Sequence, residues 1–376
     1  MSAGLDLEEN KRYFSKELLQ WYQRERRDLP WRRSRDPYHI WVSEIMLQQT
    51  RVETVIPYFN RFVDRFPSLR ELAEAPEEEV LKHWEGLGYY SRVRNLQTAV
   101  REVVEHYGGR VPSNKKDVSS LKGVGPYTAG AILSIAYNQS EPAVDGNVMR
   151  VLSRYFCLED DIARSSTRIS IEGLAQELIP GGEAADFNQA LMEHGAMVCT
   201  PKSPSCLDCP VREGCLGRLH GRERELPVKT KAKKPRPVFR FAALVEGTGS
   251  NAGKVLVRQR PDSGLLARMW ELPHVEVPDA MEWESLSLGK EYLETALAED
   301  GVRILATEHA VGDAQHIFTH LVWNIRVLAA RAHEEQYVEE RTSYKWVGPE
   351  DFESYVWPNV FRKLLTEYFI HNKIAG

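Results

Sequence analysis

Four cysteines, Cys199, Cys206, Cys209 and Cys215, follow one another with the spacing C-x6-C-x2-C-x5-C in a loop laced with Pro201, Pro204 and Pro210. Four thiols in so short a segment match a disulfide framework poorly and a metal-ligand set well: a structural tetrahedral zinc, or a [4Fe–4S] cluster. Zinc ribbons more often carry two C-x-x-C pairs, and only one occurs here, which favours the cluster. Either centre is closed, with no open coordination position for a substrate. The fifth cysteine, Cys157, stands in an apolar run and reads as a small core residue.

A second signal is Leu121-Lys122-Gly123-Val124-Gly125-Pro126-Tyr127-Thr128. One helix ends at Leu121, Gly123 and Gly125 supply positions where φ can be positive, and Pro126 opens the next helix at its preferred first position. The pattern is a helix-hairpin-helix whose tight turn aims backbone N–H groups outward, suited to a DNA phosphate and carrying no sequence information. Asp145, twenty residues beyond Gly125, directly precedes another helix. By itself it is an N-cap. A carboxylate pinned there also stays ionised near neutral pH and can face a cationic transition state. Glu44 belongs to a helix that Asp36 caps and Pro37 starts, with Tyr38, Trp41, Val42 and Ile45 as its apolar stripe. At about 100° per residue, Glu44 falls off the centre of that stripe and Leu47 nearly opposite it. The local pattern therefore puts Glu44 on a solvated face and leaves Leu47 as an exposed leucine.

These groups need elements to hold them. From Leu7 to about Leu219, apolar residues recur every three or four positions between short breaks, which predicts helices over 52–66, 78–84, 90–107 and 148–156 among others. Residues 225–237 bring five Lys/Arg and three Pro with almost nothing to bury, an exposed linker. Beyond it the texture turns β-rich, with strands predicted over 238–245, 255–260 and 319–327 and helices over 290–299 and 361–369. The expected architecture is an all-α helix-hairpin-helix domain over 1–220 carrying the cysteine loop at 199–215, a linker over 221–237, and an α+β domain over 238–376. A length of 376 residues exceeds what a single core usually supports. Hydrophobic residues at 42% exclude disorder, and no stretch is long and apolar enough for a membrane span. The start has no apolar leader, so a cytoplasmic, nucleoid-associated location is expected. The net charge of −5 is uneven: residues 1–240 hold 36 Lys+Arg against 33 Asp+Glu, so the acidity lies in the second half. Balance alone neither requires nor excludes DNA.

Together, the segment Ser43-Glu44-Ile45-Met46-Leu47-Gln48-Gln49-Thr50, the hairpin, Val144-Asp145-Gly146-Asn147-Val148 and the four cysteines resemble the helix-hairpin-helix base-excision glycosylases with an iron–sulfur loop. Within that family the chain is similar to the MutY-type adenine DNA glycosylases over almost its whole length. Bifunctional members place a nucleophilic lysine two residues after the second hairpin glycine; here that position is Tyr127, which implies base removal without committed strand cleavage. The resemblance implies that Glu44 protonates the adenine and later deprotonates water. It implies that Asp145 stabilises the oxocarbenium ion, with Tyr127 and Asn147 in support. It also implies Arg27, Leu29, Trp31 and Gln189 as walls of a pocket for the extruded base. Leu47, Gln49 and Tyr89 are candidate wedges, and Gly123 and Gly125 phosphate contacts. The expected cofactor is a [4Fe–4S] cluster. The expected partner is double-stranded DNA with A opposite 8-oxoguanine or G, bound by a monomer with no membrane role.

The second half resembles a Nudix fold, with Trp270-Glu271-Leu272-Pro273 leading into the place of that family's signature. The usual glycine pair is replaced by His274-Val275, and of the metal-binding carboxylates only Glu299 remains, too few for catalytic Mg2+. A recognition role for the oxidised base is left. MutY-type proteins carry a Phe-Ser-His loop for it; this chain has Phe318, Thr319 and His320, the extra methyl keeping the hydroxyl while restricting its rotamer. For Phe318 alone, a packed phenylalanine at the start of a strand is an equal reading.

Overall fold

In the computed structural model, which describes residues 6–231, 233–333 and 343–374, the chain divides into two units, Met1–Lys231 and Ala232–Gly376. The first is helical. Its order is α1 (Leu7–Glu25), α2 (Pro37–Leu47), α3 (Val52–Arg65), α4 (Leu69–Glu74), α5 (Glu77–Trp84), α6 (Ser91–His106), α7 (Lys115–Ser120), α8 (Pro126–Ala131), α9 (Gly146–Tyr155), α10 (Ser165–Leu178), α11 (Ala184–Met197) and α12 (Leu216–Leu219). Side-chain caps set many of the starts: Asp6 and Glu9 form a capping box on α1, Asp36 accepts from the Tyr38 and His39 amides, and Ser68 and Asn114 cap α4 and α7. Asp145 accepts from the Val148 amide, which is why α9 begins at Gly146, two residues ahead of the apolar periodicity.

α1 packs on α11 and, with α9 and α10, closes a core around Phe14, Leu18, Tyr22, Val151, Tyr155 and Phe187. α2 is the central helix of the unit. From Ile40 to Met46 every side chain is buried, so the helix has no solvated face and the narrow stripe expected from its sequence is a correction. It packs against α3, α6, α8 and the π-helical turn Ile132–Ala136 that prolongs α8. Glu44 is 5% exposed, and Leu47 is half-buried, not exposed. Cys157 is half-buried at a left-handed position (φ 53°) just after α9.

The first part of the expected linker is docked. Leu226 is buried, the Ile162 amide donates to the Val228 carbonyl at 3.0 Å, and the Thr230 amide donates to Asp161 at 3.1 Å. The sparse apolar content of 225–237 hid these contacts, because one leucine and two backbone bonds suffice to pin it.

The second unit is α+β. Its strands are β1 (Arg236–Glu246), β2 (Val255–Gln259), β3 (Trp270–Glu271), β4 (His274–Val277), β5 (Ile304–Ile317), β6 (Leu321–Ala332) and β7 (Tyr344–Val347). They pair in the order β3-β2-β1-β6-β5, with β4 on β1 and β7 on β2; β1 and β6 run parallel and the other pairs antiparallel. Alternation along β1 sorts its side chains. Val238, Ala242 and Leu244 face one core with Trp357, Phe361 and Leu365, while Phe241, Ala243 and Val245 face another with Leu293 and Leu297. A helix therefore covers each face of the sheet: Asn359–Ile374 on one and Leu286–Glu299 on the other. Among the described residues, no helix is long and apolar enough to cross a membrane.

Candidate active site

The helical unit holds a cleft open to solvent, walled by α2, α8, α9, α11 and the turn after α1. The two carboxylates from distant stretches of chain meet there: Glu44 from α2 and Asp145 at the start of α9 both border it. Tyr127, on α8 just after the hairpin, donates its hydroxyl to Glu44 Oε2 and sits 3.3 Å from Met192 Sδ. Burial pushes Glu44 up to about 7; the Asp145 charge adds to that, while the Tyr127 hydrogen bond and Arg32 pull it back. Asp145 is held by the Val148 amide on Oδ1 and the Asn147 side-chain amide on Oδ2, each at 2.8 Å. Burial raises its pKa above the ordinary value, and those two donors and Arg150 oppose the rise.

The remaining walls come from the turn after α1 and from α11. Arg27, Leu29, Trp31, Leu47, Asn147 and Gln189 all border the cleft, Leu29 and Trp31 buried and the others half-buried. Gln189 leads a face of α11 that continues with Met192, Glu193 and Ala196. Glu193 is 1% exposed and accepts two guanidiniums: Arg27 Nε and Nη2 at 2.8 and 2.7 Å, Arg32 Nη1 and Nη2 at 3.1 and 2.9 Å. Burial would raise its pKa, but the two arginines overcome it and hold the carboxylate down to about 2. Sequence reasoning missed Arg32 and Glu193. The spacing i, i+3, i+4 from Gln189 would have found Glu193.

Arg150 was missed too. Its Nη2 donates to Asn147 Oδ1 at 2.8 Å and to the Gly195 carbonyl at 2.7 Å, while its Nε donates to the Cys199 carbonyl at 2.8 Å. One guanidinium thus ties the support of Asp145 to the cysteine loop. Gly195 allows the contact: a β-carbon there would meet Asn147 Cβ at 2.6 Å and Cα at 3.2 Å.

Cys199, Cys206, Cys209 and Cys215 all border one small cavity, together with Arg154, Tyr155 and His194. Arg154 Nη1 lies 3.3 Å from Cys199 Sγ and donates to the Thr200 carbonyl at 2.7 Å, and His194 Nε2 lies 3.2 Å from Cys209 Sγ. Among the described residues no three His, Cys, Asp or Glu side chains converge as one metal ion requires. Four thiols lining one cavity are a donor set that a [4Fe–4S] cluster or a tetrahedral zinc would take. Burial pushes Cys209 up to about 12 and Cys215 up to about 11.

Outside the cleft, Gln49 is exposed with φ 59°, and Tyr89 is 48% exposed with φ 49°; its neighbour Tyr90 is buried. Gly123 has φ 76°, and a β-carbon there would meet Asn95 Cβ at 2.7 Å, so the hairpin turn requires glycine. Gly125 is the exposed N-cap of α8 at φ −89°, so of the two hairpin glycines only Gly123 takes the positive φ that the sequence offered for both. In the second unit, Phe318, Thr319 and His320 form the tight turn between β5 and β6, closed by the Phe318 amide donating to the Leu321 carbonyl at 2.8 Å. The Phe318 ring packs on His316 and Trp323, with centroids 4.5 and 4.9 Å away, while Thr319 and His320 are exposed.

Residues 42–179 match the HhH-GPD superfamily of base excision DNA repair proteins, and residues 248–367 match the NUDIX domain. The adenine DNA glycosylase of Mus musculus is 36% identical over 96% of this chain and 78% of its own length. That of Homo sapiens is 35% identical over 94% and 74%, and that of Schizosaccharomyces pombe 31% identical over 90% and 86%. The chain belongs to the adenine DNA glycosylase family. Among solved structures, a thermostable thymine-DNA glycosylase is similar to 57% of this chain over 98% of its own, with 32% identity and a TM-score of 0.52. A helix-hairpin-helix unit followed by a Nudix-like unit is thus the architecture of this family member.

Two outcomes follow for its glycosylase activity. Because the Tyr127 hydrogen bond lowers the Glu44 pKa, Tyr127→Phe raises it further, and the alkaline limb of a single-turnover pH profile moves upward from about 7. An unmoved limb would separate Glu44 from the titration that matters. Gly195→Ala pushes α11 off Asn147 and displaces Asp145, so single-turnover base release drops by about a hundredfold while the melting temperature shifts by a few degrees.

Proposed function

We propose that the chain is a monofunctional glycosylase that hydrolyses the N-glycosidic bond of adenine opposite 8-oxoguanine or guanine in duplex DNA. The observation that carries this reading is the pairing of a buried carboxyl protonated near neutral pH, Glu44, with a capped carboxylate, Asp145, on the walls of one cleft. Cleavage of the C1′–N9 bond leaves its electron pair on the purine and a cation on the sugar. Glu44 donates its proton to the purine ring as that pair arrives, and Asp145 faces the cation, either as an ion pair or through a transient sugar ester. Water then adds at C1′ and gives its proton to Glu44. Tyr127 holds the Glu44 carboxyl in place and, lacking an amine, leaves an abasic site intact.

Adenine reaches the cleft only when extruded, and Arg27, Leu29, Trp31 and Gln189 are read as the walls it meets. Leu47, Gln49 and Tyr89 are read as wedges into the vacated space, and the Gly123 and Gly125 backbone as the hold on a phosphate. The four cysteines are read as ligands of a [4Fe–4S] cluster, which supplies four covalent anchors to the loop that Arg150 and Arg154 bind. Phe318, Thr319 and His320 are read as the contact with the base opposite the adenine, made by a single copy of the chain.

A panel of duplexes with A opposite 8-oxoguanine, G, C or T tests the reading. Free adenine is expected from the first two, with strand breaks only after alkali. Asp145→Asn is expected to bind the same duplexes and to lose at least about a thousandfold in base release; equal release by wild type and variant would remove Asp145 from the chemistry. Purified protein is expected to absorb broadly at the blue end of the visible range and to contain iron, whereas a colourless zinc protein would replace the cluster assignment.

A further inference from the structure

Gln49 and Tyr89 share a conformation that crowds the β-carbon of any residue but glycine: both have positive φ, 59° and 49°. One guanidinium faces the peptide that precedes each of them. Arg92, on α6, donates through Nη1 to the carbonyls of Ile45 (2.8 Å), Met46 (3.3 Å) and Gln48, and through Nη2 to those of Leu87 (3.4 Å) and Gly88 (3.2 Å). Ile45 and Met46 lie in the last turn of α2, whose carbonyls have no partner within the helix. Gln48 and Gly88 are the residues immediately before Gln49 and Tyr89. A carbonyl and the following N–H share one plane, so fixing the Gln48 and Gly88 carbonyls fixes the planes from which the φ of Gln49 and Tyr89 is set.

The clamp is itself held. Its guanidinium lies 5.6 Å from the Trp84 ring centroid and 5.3 Å from that of Tyr89, and Trp84 Nε1 donates to the same Gly88 carbonyl at 3.1 Å. Gly86 and Gly88, at φ 101° and 72°, bend the second loop toward it. The two loops are 40 residues apart in sequence, Gln49 against Tyr89, and Arg92 is bonded to both.

We propose that Arg92 is a positioning residue that locks the Gln49 and Tyr89 loops to each other, so that both side chains enter the duplex as one rigid unit and base extrusion, not bond cleavage, depends on it. The proposal rests on reading Gln49 and Tyr89 as wedges. Five acceptors, two at the end of α2 and three in the loops before Gln49 and Tyr89, suit a planar fork of donors; lysine, a point charge with one reach, satisfies one loop at a time.

The test uses the full chain with Asp145→Asn, which stops turnover, and a duplex with 2-aminopurine in place of the adenine opposite guanine. Unstacking of 2-aminopurine raises its fluorescence. Arg92→Gln and Arg92→Lys are expected to lower that rise about tenfold, the population equivalent of releasing one strained left-handed residue. Both are expected to bind a duplex that already carries an abasic site within about threefold of the parent, since nothing remains to be extruded. Arg92→Lys keeps the charge and carries the test if Arg92→Gln melts early. An undiminished rise, or abasic-duplex binding lost in the same proportion, overturns the proposal. Gln49→Ala and Tyr89→Ala separate the two readings: if they leave the rise intact, the wedge reading falls and takes the clamp with it. If they lower it while the Arg92 variants do not, the clamp alone is wrong.

Discussion

A carboxylic acid keeps its proton at neutral pH only if it is taken out of water, and the packing of α2 achieves this for Glu44. The displacement from an ordinary 4.5 to about 7 corresponds to ~3 kcal/mol against the charged form. That strain on the fold is absent below the unfolded pKa, grows as pH rises from there, and is complete above about 7. It has to be met by apolar packing, and the helix answers with Trp41, Val42, Ile45 and Met46, its neighbours in sequence, all buried. The one polar partner is the Tyr127 hydroxyl, which can stay bonded to the carboxyl in either protonation state. A second carboxylate nearby raises the Glu44 pKa further, so the two acids are useful only as a pair with unequal surroundings.

Asp145 faces the opposite demand, to hold charge in a half-buried place. Two donors on its two oxygens favour the ionised form, and both are short, local and fixed by the start of α9. Asn147 is in turn aimed by Arg150, which is anchored on the Gly195 and Cys199 carbonyls. The cysteine loop therefore bears on the site without approaching the substrate. A loop of that length with three prolines, Pro201, Pro204 and Pro210, has few backbone bonds of its own, and Arg154 supplies donors to the carbonyls of Thr200 and Pro201. A metal centre bound there would fix the Cys199 carbonyl that Arg150 contacts.

Signals that are local in the chain were legible in it. The Asp36 and Asp145 caps, the hairpin glycines and the cysteine spacing each depend on residues within a few positions of one another, and the predicted helix boundaries of the first unit fell within one or two residues, whereas the two helices expected over 290–299 and 361–369 extend further, to Leu286–Glu299 and Asn359–Ile374. Burial of α2 was not legible, because a helix surrounded on every side has no stripe to detect; Glu44 looked solvated for that reason. Arg32, Arg92, Arg150 and Glu193 were missed for a related one. Each works through partners more than 40 positions away, or through backbone carbonyls that carry no sequence identity. The Leu226, Val228 and Thr230 contacts escaped notice because a lysine-rich composition outweighs a single buried leucine.

The Nudix-like unit shows the same economy with its acids. Glu271, within the Trp270-Glu271-Leu272-Pro273 run, is fully buried, with Oε1 bonded to Arg258 at 3.1 Å and Oε2 to Arg260 at 2.7 Å and His274 at 2.9 Å. Burial would raise its pKa, but His274 and the arginines hold it down to about 2. Glu294 accepts the Ala306 amide at 3.0 Å, joining the helix that covers one face of the sheet to β5, and Glu299 is exposed at that helix's end. The His274 that replaces a glycine is what completes the first of these bonds, stacking flat on Phe361 at 5.7 Å. Arg240 and Arg260 flank Trp323, 4.4 and 5.3 Å from its ring centroid, and Trp323 in turn carries the ring of Phe318. Glu271, in the run that leads into the place of the signature, is thus spent on holding Arg258 and Arg260, the second of which lies against the Trp323 ring. Through the Phe318 ring, Trp323 supports the turn at Phe318, Thr319 and His320.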